Sequence, residues 1–239
     1  MKIYVDIMLK IRSVVILFLL IITTIIFAII VMLSMILFGK RIFFAYARLW
    51  SKILLFISGV SLEIEDYSIL IPNQSYIYIA NHSSLFDIPI LLSTIKGNAR
   101  IIYKEELEKI PFFGWCLKMS PFISIRREDK ENSLEGFKLA MKAISEEDSV
   151  IIFPEGTRST DGQLGEFKKG AFLLAIKSNK EMIPVAIKGS ANILSKGTSN
   201  LKKGNIRVSF IKNINPKENP NLSIKALMNQ IRVQISEKI

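Results

Sequence analysis

Hydrophobic and polar positions follow two regimes along this chain. From Ser13 to Phe38, 26 consecutive residues carry no charge, and at about 1.5 Å per residue they would form a helix of roughly 39 Å. That length predicts an uncleaved membrane helix that can span a bilayer with some tilt. The run is too long for a secretory signal, and no small-x-small cleavage pattern precedes Gly39. The next segment, Arg41 to Val60, sets Arg48 and Lys52 one helical turn apart among Phe43, Tyr46, Leu49, Trp50, Ile53, Leu54 and Ile57. It reads as an interfacial helix or as a core helix, because an apolar stripe alone does not say whether lipid or protein faces it. Residues 1–60 together predict a two-helix membrane anchor, and residues 61–239 a single domain behind it.

After Glu63 the pattern changes to short β-rich runs separated by amphipathic stretches. The runs are 75–80 (SYIYIA), 99–103 (ARIIY), 122–125 (FISI), 149–153 (SVIIF), 183–187 (IPVAI) and 206–210 (IRVSF). Between them Leu134, Phe137, Met141 and Ile144 recur at helical spacing, as do Ile224, Leu227, Met228, Ile231 and Ile235. These stripes predict helices that bury one face. Strands alternating with helices predict an α/β fold, a mainly parallel mixed sheet flanked by helices. Residues 213–221 (NINPKENPN) form a turn-rich connector to the last helix.

Composition narrows the classes of function. Half of the 239 residues are hydrophobic and the mean hydropathy is +0.34, which suits one catalytic-sized domain with a lipid-contacting stretch. The net charge of +11 favours anionic lipid and anionic substrates. Nucleic acid is the competing reading of that charge, but the basic residues are scattered and no motif of that class accompanies them. Lys2, Lys10 and Arg12 precede the apolar run while Lys40, Arg41, Arg48 and Lys52 follow it, which favours the downstream side as cytoplasmic. The single cysteine, Cys116, excludes an internal disulfide, and a single histidine without a cysteine cluster gives no metal-ligand set.

That histidine, His82, lies in ANHSSLFDIPI, directly after the strand 75–80 and where a helix would begin. Strand C-termini in α/β sheets face the crevice where ligands bind, and Ser83 or Ser84 can cap the next helix. Asp87 follows five positions on. On one continuous helix the two would be about 140° apart, so the pair must straddle the turn, where the carboxylate can fix the imidazole tautomer and leave the other nitrogen to take a proton. A second loop, FPEGTRS (153–159), also leaves a strand and should reach the same sheet edge. Gly156 allows close backbone approach to a ligand, and Thr157 and Arg158 supply a hydroxyl and a forked cation suited to phosphate. Glu155 has two readings here, an ion pair that orients Arg158 or a lysine, and a contact to a substrate hydroxyl.

At this point the chain resembles a family. NHSSLFD matches the N-H-x4-D block and FPEGTRS the E-G-T-R block of the glycerolipid acyltransferases, specifically the 1-acylglycerol-3-phosphate acyltransferases. KEELEKIPFFGW (104–115) followed by FISIRR resembles the segment ending in a substrate-binding arginine, which by spacing is Arg126 rather than its neighbour Arg127. IPVAI (183–187) resembles the apolar strand associated with the acyl donor. The resemblance covers residues 70–190. It implies His82 as general base and Asp87 as its orienting partner. It also implies that Glu155, Gly156, Thr157 and Arg158 position a glycerol phosphate, with Arg126 and Lys104 sharing its charge. The reaction it implies carries a fatty acyl group from acyl-CoA or acyl carrier protein to the sn-2 hydroxyl of lysophosphatidic acid, on the cytoplasmic face of a membrane and with no cofactor beyond the thioester substrate. Where the family commonly has a glycine before the arginine strand, this chain has Ser120 and Pro121, so the acceptor pocket differs locally.

Other readings differ in class. A lipid hydrolase or thioesterase would use His82 to activate water or serine, but the chain has no G-x-S-x-G elbow. A non-catalytic basic scaffold on anionic lipid would leave the pairing of His82 with Asp87 without purpose. Among acyltransferases, glycerol 3-phosphate or another lysophospholipid is the alternative acceptor.

Overall fold

The computed structural model describes residues 2–71, 74–126, 130–218 and 222–239; Arg127 lies outside them. The chain begins with two helices, α1 (Lys2–Phe38) and α2 (Ile42–Ser58). Then come β1 (Val60–Glu65), β2 (Ile77–Ala80), α3 (Asp87–Thr94), β3 (Ala99–Lys104), α4 (Phe113–Met119) and β4 (Ile123–Ile125). The remainder is α5 (Lys130–Ser145), β5 (Ser149–Ile152), α6 (Gly170–Ser178), β6 (Met182–Lys188), α7 (Ser190–Ile193), β7 (Gly204–Phe210) and α8 (Ile224–Ser236).

Among the described residues the strands form one sheet in the order β1-β7-β6-β2-β5-β3-β4. Every neighbouring pair is parallel except β6 with β7, so the sheet is mixed and mainly parallel, as the alternation of strands and helices predicts. Side-chain alternation sends Tyr76, Tyr78 and Ala80 into one layer with α1, α2 and α3. It sends Ile77 and Ile79 into the other with α5, α6 and α8. Burial on both faces is why these strands read as nearly continuous apolar runs.

Each of the six strands read from the sequence is present, within a residue or two at its ends. A seventh, β1, was not anticipated. Its sequence VSLEIE alternates apolar and polar residues, but it starts one residue after the α2 cap, Gly59, and merges with the helical apolar run. It pairs in parallel with β7, from Val60 opposite Gly204 to Glu65 opposite Ser209. Leu134 also departs from expectation: it is 57% exposed, whereas Ala140, Ala143 and Ile144 of α5 are buried.

The second helix packs against the domain along one face, as a core helix does. α2 buries Phe43, Phe44, Ala47, Leu54 and Leu55 and leaves Leu49 and Phe56 exposed. α1 lies along the domain. Nη1 of Arg12 donates to the Leu201 carbonyl (3.2 Å), Ser13 Oγ accepts from Leu201 N–H (3.1 Å), Trp50 Nε1 donates to Thr24 Oγ1 (3.2 Å), and Ser34 Oγ bonds Tyr46 Oη (3.1 Å). Its outer flank exposes Phe18, Ile22, Ile29, Leu33 and Ile36. By length and composition, Ile7–Phe38 is apolar enough to cross a membrane.

Candidate active site

β2 and β5 run side by side, with Ile79 opposite Ile152 at the last paired position. Beyond it both chains turn away from the sheet at the same edge. Asn81 extends the attachment of β2 to β6 by one more residue, because its amide donates to the Ile187 carbonyl (2.9 Å) and accepts from the Ile187 N–H (2.8 Å). The next residue is His82.

His82 Nδ1 lies 2.8 Å from Asp87 Oδ2. A carboxylate can only accept, so the proton sits on Nδ1 and the Nε2 lone pair is left for chemistry. Asp87 is fully buried and is the first residue of α3. The same Oδ2 accepts from the backbone N–H groups of Ser83 (2.7 Å) and Ser84 (2.8 Å). The Ser84 hydroxyl also accepts from the Phe86 N–H (3.3 Å) at the entry to α3, while Asp87 reaches back and takes the N–H groups of both serines. Ser83 Oγ pairs with Ser190 Oγ (2.9 Å) and Ser84 Oγ donates to the Leu194 carbonyl (2.8 Å), which ties the loop to α7. The imidazole stacks on Phe153 with ring centroids 4.1 Å apart and planes 20° from parallel.

The second loop grips the first through its backbone. Glu155 Oε1 accepts from the His82 N–H at 2.7 Å, and Ser159 N–H donates to the His82 carbonyl at 2.8 Å. Glu155 Oε2 accepts from Gly165 N–H at 2.8 Å. Glu155 as a whole is 8% exposed. Burial pushes its pKa up, against the two N–H donors that favour the charged form. Among the described residues no ion pair engages it, so the orienting bridge to Arg158 or a lysine is not formed.

Gly156 turns the loop at φ +74°, and a Cβ there would approach the Lys168 side chain to 3.1 Å. Thr157 is exposed and its hydroxyl donates to the Arg158 carbonyl (3.2 Å), which also accepts from Lys196 Nζ (2.9 Å). Lys104 is the exposed last residue of β3, and Arg126 directly follows β4. Arg126 meets Glu105 in a two-pronged ion pair, Nε to Oε2 at 2.5 Å and Nη2 to Oε1 at 2.8 Å. That guanidinium is the main reason the Glu105 pKa is lowered.

Since β2, β5, β3 and β4 are consecutive and parallel, the expected site residues line one sheet edge in the order His82, 155–158, Lys104, Arg126. At about 4.8 Å per strand, three steps separate the first from the last by roughly 14 Å. A histidine–carboxylate pair at one end and cations at the other can accept a proton from a hydroxyl and hold an anionic group some distance away. Three contributors were not anticipated: Lys168 and Lys196, which add charge beside Gly156 and Arg158, and Phe153, whose place in the motif strand was the one available signal. On the α1–α4 side, Phe27, Val31, Phe43, Trp50, Leu92 and Cys116 help to line an apolar cavity of about 90 Å³.

A model of the acyltransferase family matches residues 61–188, more than half of the chain. The chain belongs to the acyltransferase family. All of the expected site residues lie inside the matched span, and the two anchor helices precede it. A chloroplastic 1-acyl-sn-glycerol-3-phosphate acyltransferase of Arabidopsis thaliana is 33% identical over 195 residues, 81% of this chain and 53% of that protein. One from Brassica napus is 37% identical over 139 residues, 58% of this chain and 40% of that protein. The chain thus spans about half the length of these curated relatives. The crystal structure of the 1-acyl-sn-glycerophosphate acyltransferase PlsC from Thermotoga maritima matches with a TM-score of 0.84 over 98% of this chain and 95% of that one. At 22% identity, that likeness is one of fold.

Proposed function

We propose that this acyltransferase moves a fatty acyl group from acyl-CoA or acyl carrier protein onto the sn-2 hydroxyl of lysophosphatidic acid, giving phosphatidic acid. The observation that carries the reading is the His82–Asp87 pair, with Nδ1 committed to the carboxylate, at the head of an edge that ends in cations. His82 Nε2 takes the proton of the acceptor hydroxyl as its oxygen attacks the thioester carbonyl. The tetrahedral intermediate collapses, the carbon–sulfur bond breaks, and the thiolate leaves and is protonated. Arg158, Arg126 and Lys104 hold the acceptor phosphate, with Gly156 and Thr157 shaping the loop around it. A positioned base contributes about 10²- to 10⁴-fold, and alignment of hydroxyl and thioester supplies more.

The apolar cavity beside α3, at about 90 Å³, takes only part of an acyl chain, whose transfer out of water is worth about 0.8 kcal/mol per CH₂. The anchor lies in the plane of one leaflet, on the cytoplasmic face, rather than crossing the bilayer. This reading rests on the domain packed along one flank of α1. Were α1 upright, α4, whose Cys116 and Leu117 line a cavity with Phe27 and Val31 from the middle of α1, would be drawn toward hydrocarbon with its exposed Lys118, at about 2.5–3.5 kcal/mol for a central charge. Lipid acceptor and product then enter and leave at the bilayer surface.

The test is the purified protein in detergent or vesicles with labelled acyl-CoA and acyl-acyl carrier protein against a panel of lysophosphatidic acid, other lysophospholipids and glycerol 3-phosphate. Phosphatidic acid formed only with lysophosphatidic acid supports the proposal. Transfer to a different acceptor moves the substrate assignment, and rapid fatty acid release with no acceptor identifies a hydrolase.

A further inference from the structure

The position of Glu155 fits neither role that its motif suggests. Its carboxylate is buried, each oxygen holds a backbone N–H, and one of those belongs to His82. The other belongs to Gly165, which packs so closely that a Cβ at that residue would sit 3.0 Å from Oε2 and 3.6 Å from Cγ. One side of the carboxylate is therefore closed by the backbone before α6, and the other by the peptide of His82. The paired ladder of β2 and β5 ends at Ile79 and Ile152, three residues before the histidine, where backbone pairing can no longer hold the two chains in register. The Glu155 side chain and the Ser159 N–H take over there, bonding the N–H and the C=O of His82 at 2.7 and 2.8 Å.

We propose that Glu155 is a positioning residue, whose carboxylate fixes the His82 peptide and through it the imidazole between Asp87 and Phe153, and that it does not contact the acceptor. The proposal rests on His82 acting as the base. Two of its parts are separable from that role: the clamp itself, and the dependence of the clamp on a glycine at 165. With Glu155→Gln, one of the two N–H groups must face an amide NH₂ in place of an oxygen, and one strut is lost. With Gly165→Ala, Glu155 stays intact but a methyl group presses on Oε2.

His82 is the sole histidine, so its imidazole resonances in a nitrogen-15-labelled sample need no assignment. They can be read whether or not the preparation is active. Expected results are as follows. Glu155→Gln shifts or broadens the Nδ1 proton and the ring nitrogens, and lowers kcat about 100-fold, the scale of a misplaced reacting group, with KM for lysophosphatidic acid within about 2-fold of wild type. Gly165→Ala does the same more weakly, about 10-fold in kcat. Imidazole signals identical to wild type in both folded variants would overturn the proposal, and so would a rise in KM at unchanged kcat, which marks a substrate contact. Circular dichroism shows whether each variant folds; if Glu155→Gln does not, Gly165→Ala alone decides. A wild-type protein inactive on every acceptor would refute the proposed function, while the imidazole signals would still report on the clamp.

Discussion

The two ends of the sheet edge are built differently. At the β2 and β5 exits, His82 is held by Asp87, by Glu155 and Ser159 through its backbone, and by the Phe153 ring, with Asp87 and Glu155 both buried. At the β3 and β4 exits, Lys104 is exposed and the Arg126–Glu105 pair has side chains 56% and 34% exposed. Proton transfer tolerates little misplacement, and the histidine proposed as the base is pinned by short bonds in a dry setting. The anionic head group of the proposed acceptor must arrive and leave, and exposed cations attract it without a buried cradle. An exposed pair such as Arg126–Glu105 is screened by water and adds little to stability.

That contrast can be broken from either end. The largest loss is expected from His82→Ala, which should lower kcat about 10³- to 10⁴-fold in an acceptor-dependent transfer assay; full activity would remove His82 from the mechanism. Asp87→Asn should lower kcat about 10²- to 10³-fold. It should also reduce stability by about 1–3 kcal/mol, because the amide oxygen can keep the donors at the Oδ2 position only by leaving a buried NH₂ without an acceptor where Oδ1 now sits. A denaturant titration checks the second part. At the open end, Arg158→Ala and Arg126→Ala should each raise KM for a phosphate-bearing acceptor about 10-fold, the scale of one charge-assisted hydrogen bond. Their melting temperatures should stay near wild type, and a collapse in kcat at constant KM would contradict the division of labour.

The anchor gives a smaller readout. Cysteines placed at Met8 and Phe38, exposed near the two ends of α1, should be labelled by an impermeant maleimide from the same side of sealed vesicles. Labelling from opposite sides would establish a span. The native thiol should interfere little, since burial pushes the Cys116 pKa up to about 11 and the thiolate is the reactive form.

Much of this was legible before the fold was known. The strands that carry the site are apolar runs ending in Asn81-His82 and in Phe153-Pro154, and those patterns are local. β1 was hidden by position: its alternation begins where an apolar helix ends, so the helix absorbed its first residue. Leu134 kept helical spacing but sits in the first turns of α5, where no layer covers it. The backbone donors of the clamp around His82 left no trace in residue type, because Ser159 and Gly165 contribute N–H groups that every residue but proline possesses.

Residue order alone determined the α/β pattern, the apolar anchor and the short spacings of His82 to Asp87 and Glu155 to Arg158, since each depends on neighbours within a few turns or one strand. Only the tertiary structure decided that the Glu155 carboxylate meets the His82 N–H across 73 residues, that α1 lies along the domain, and that Glu155 is enclosed. Those outcomes depend on strand order and on side chains brought together by burial, and neither is encoded in local periodicity.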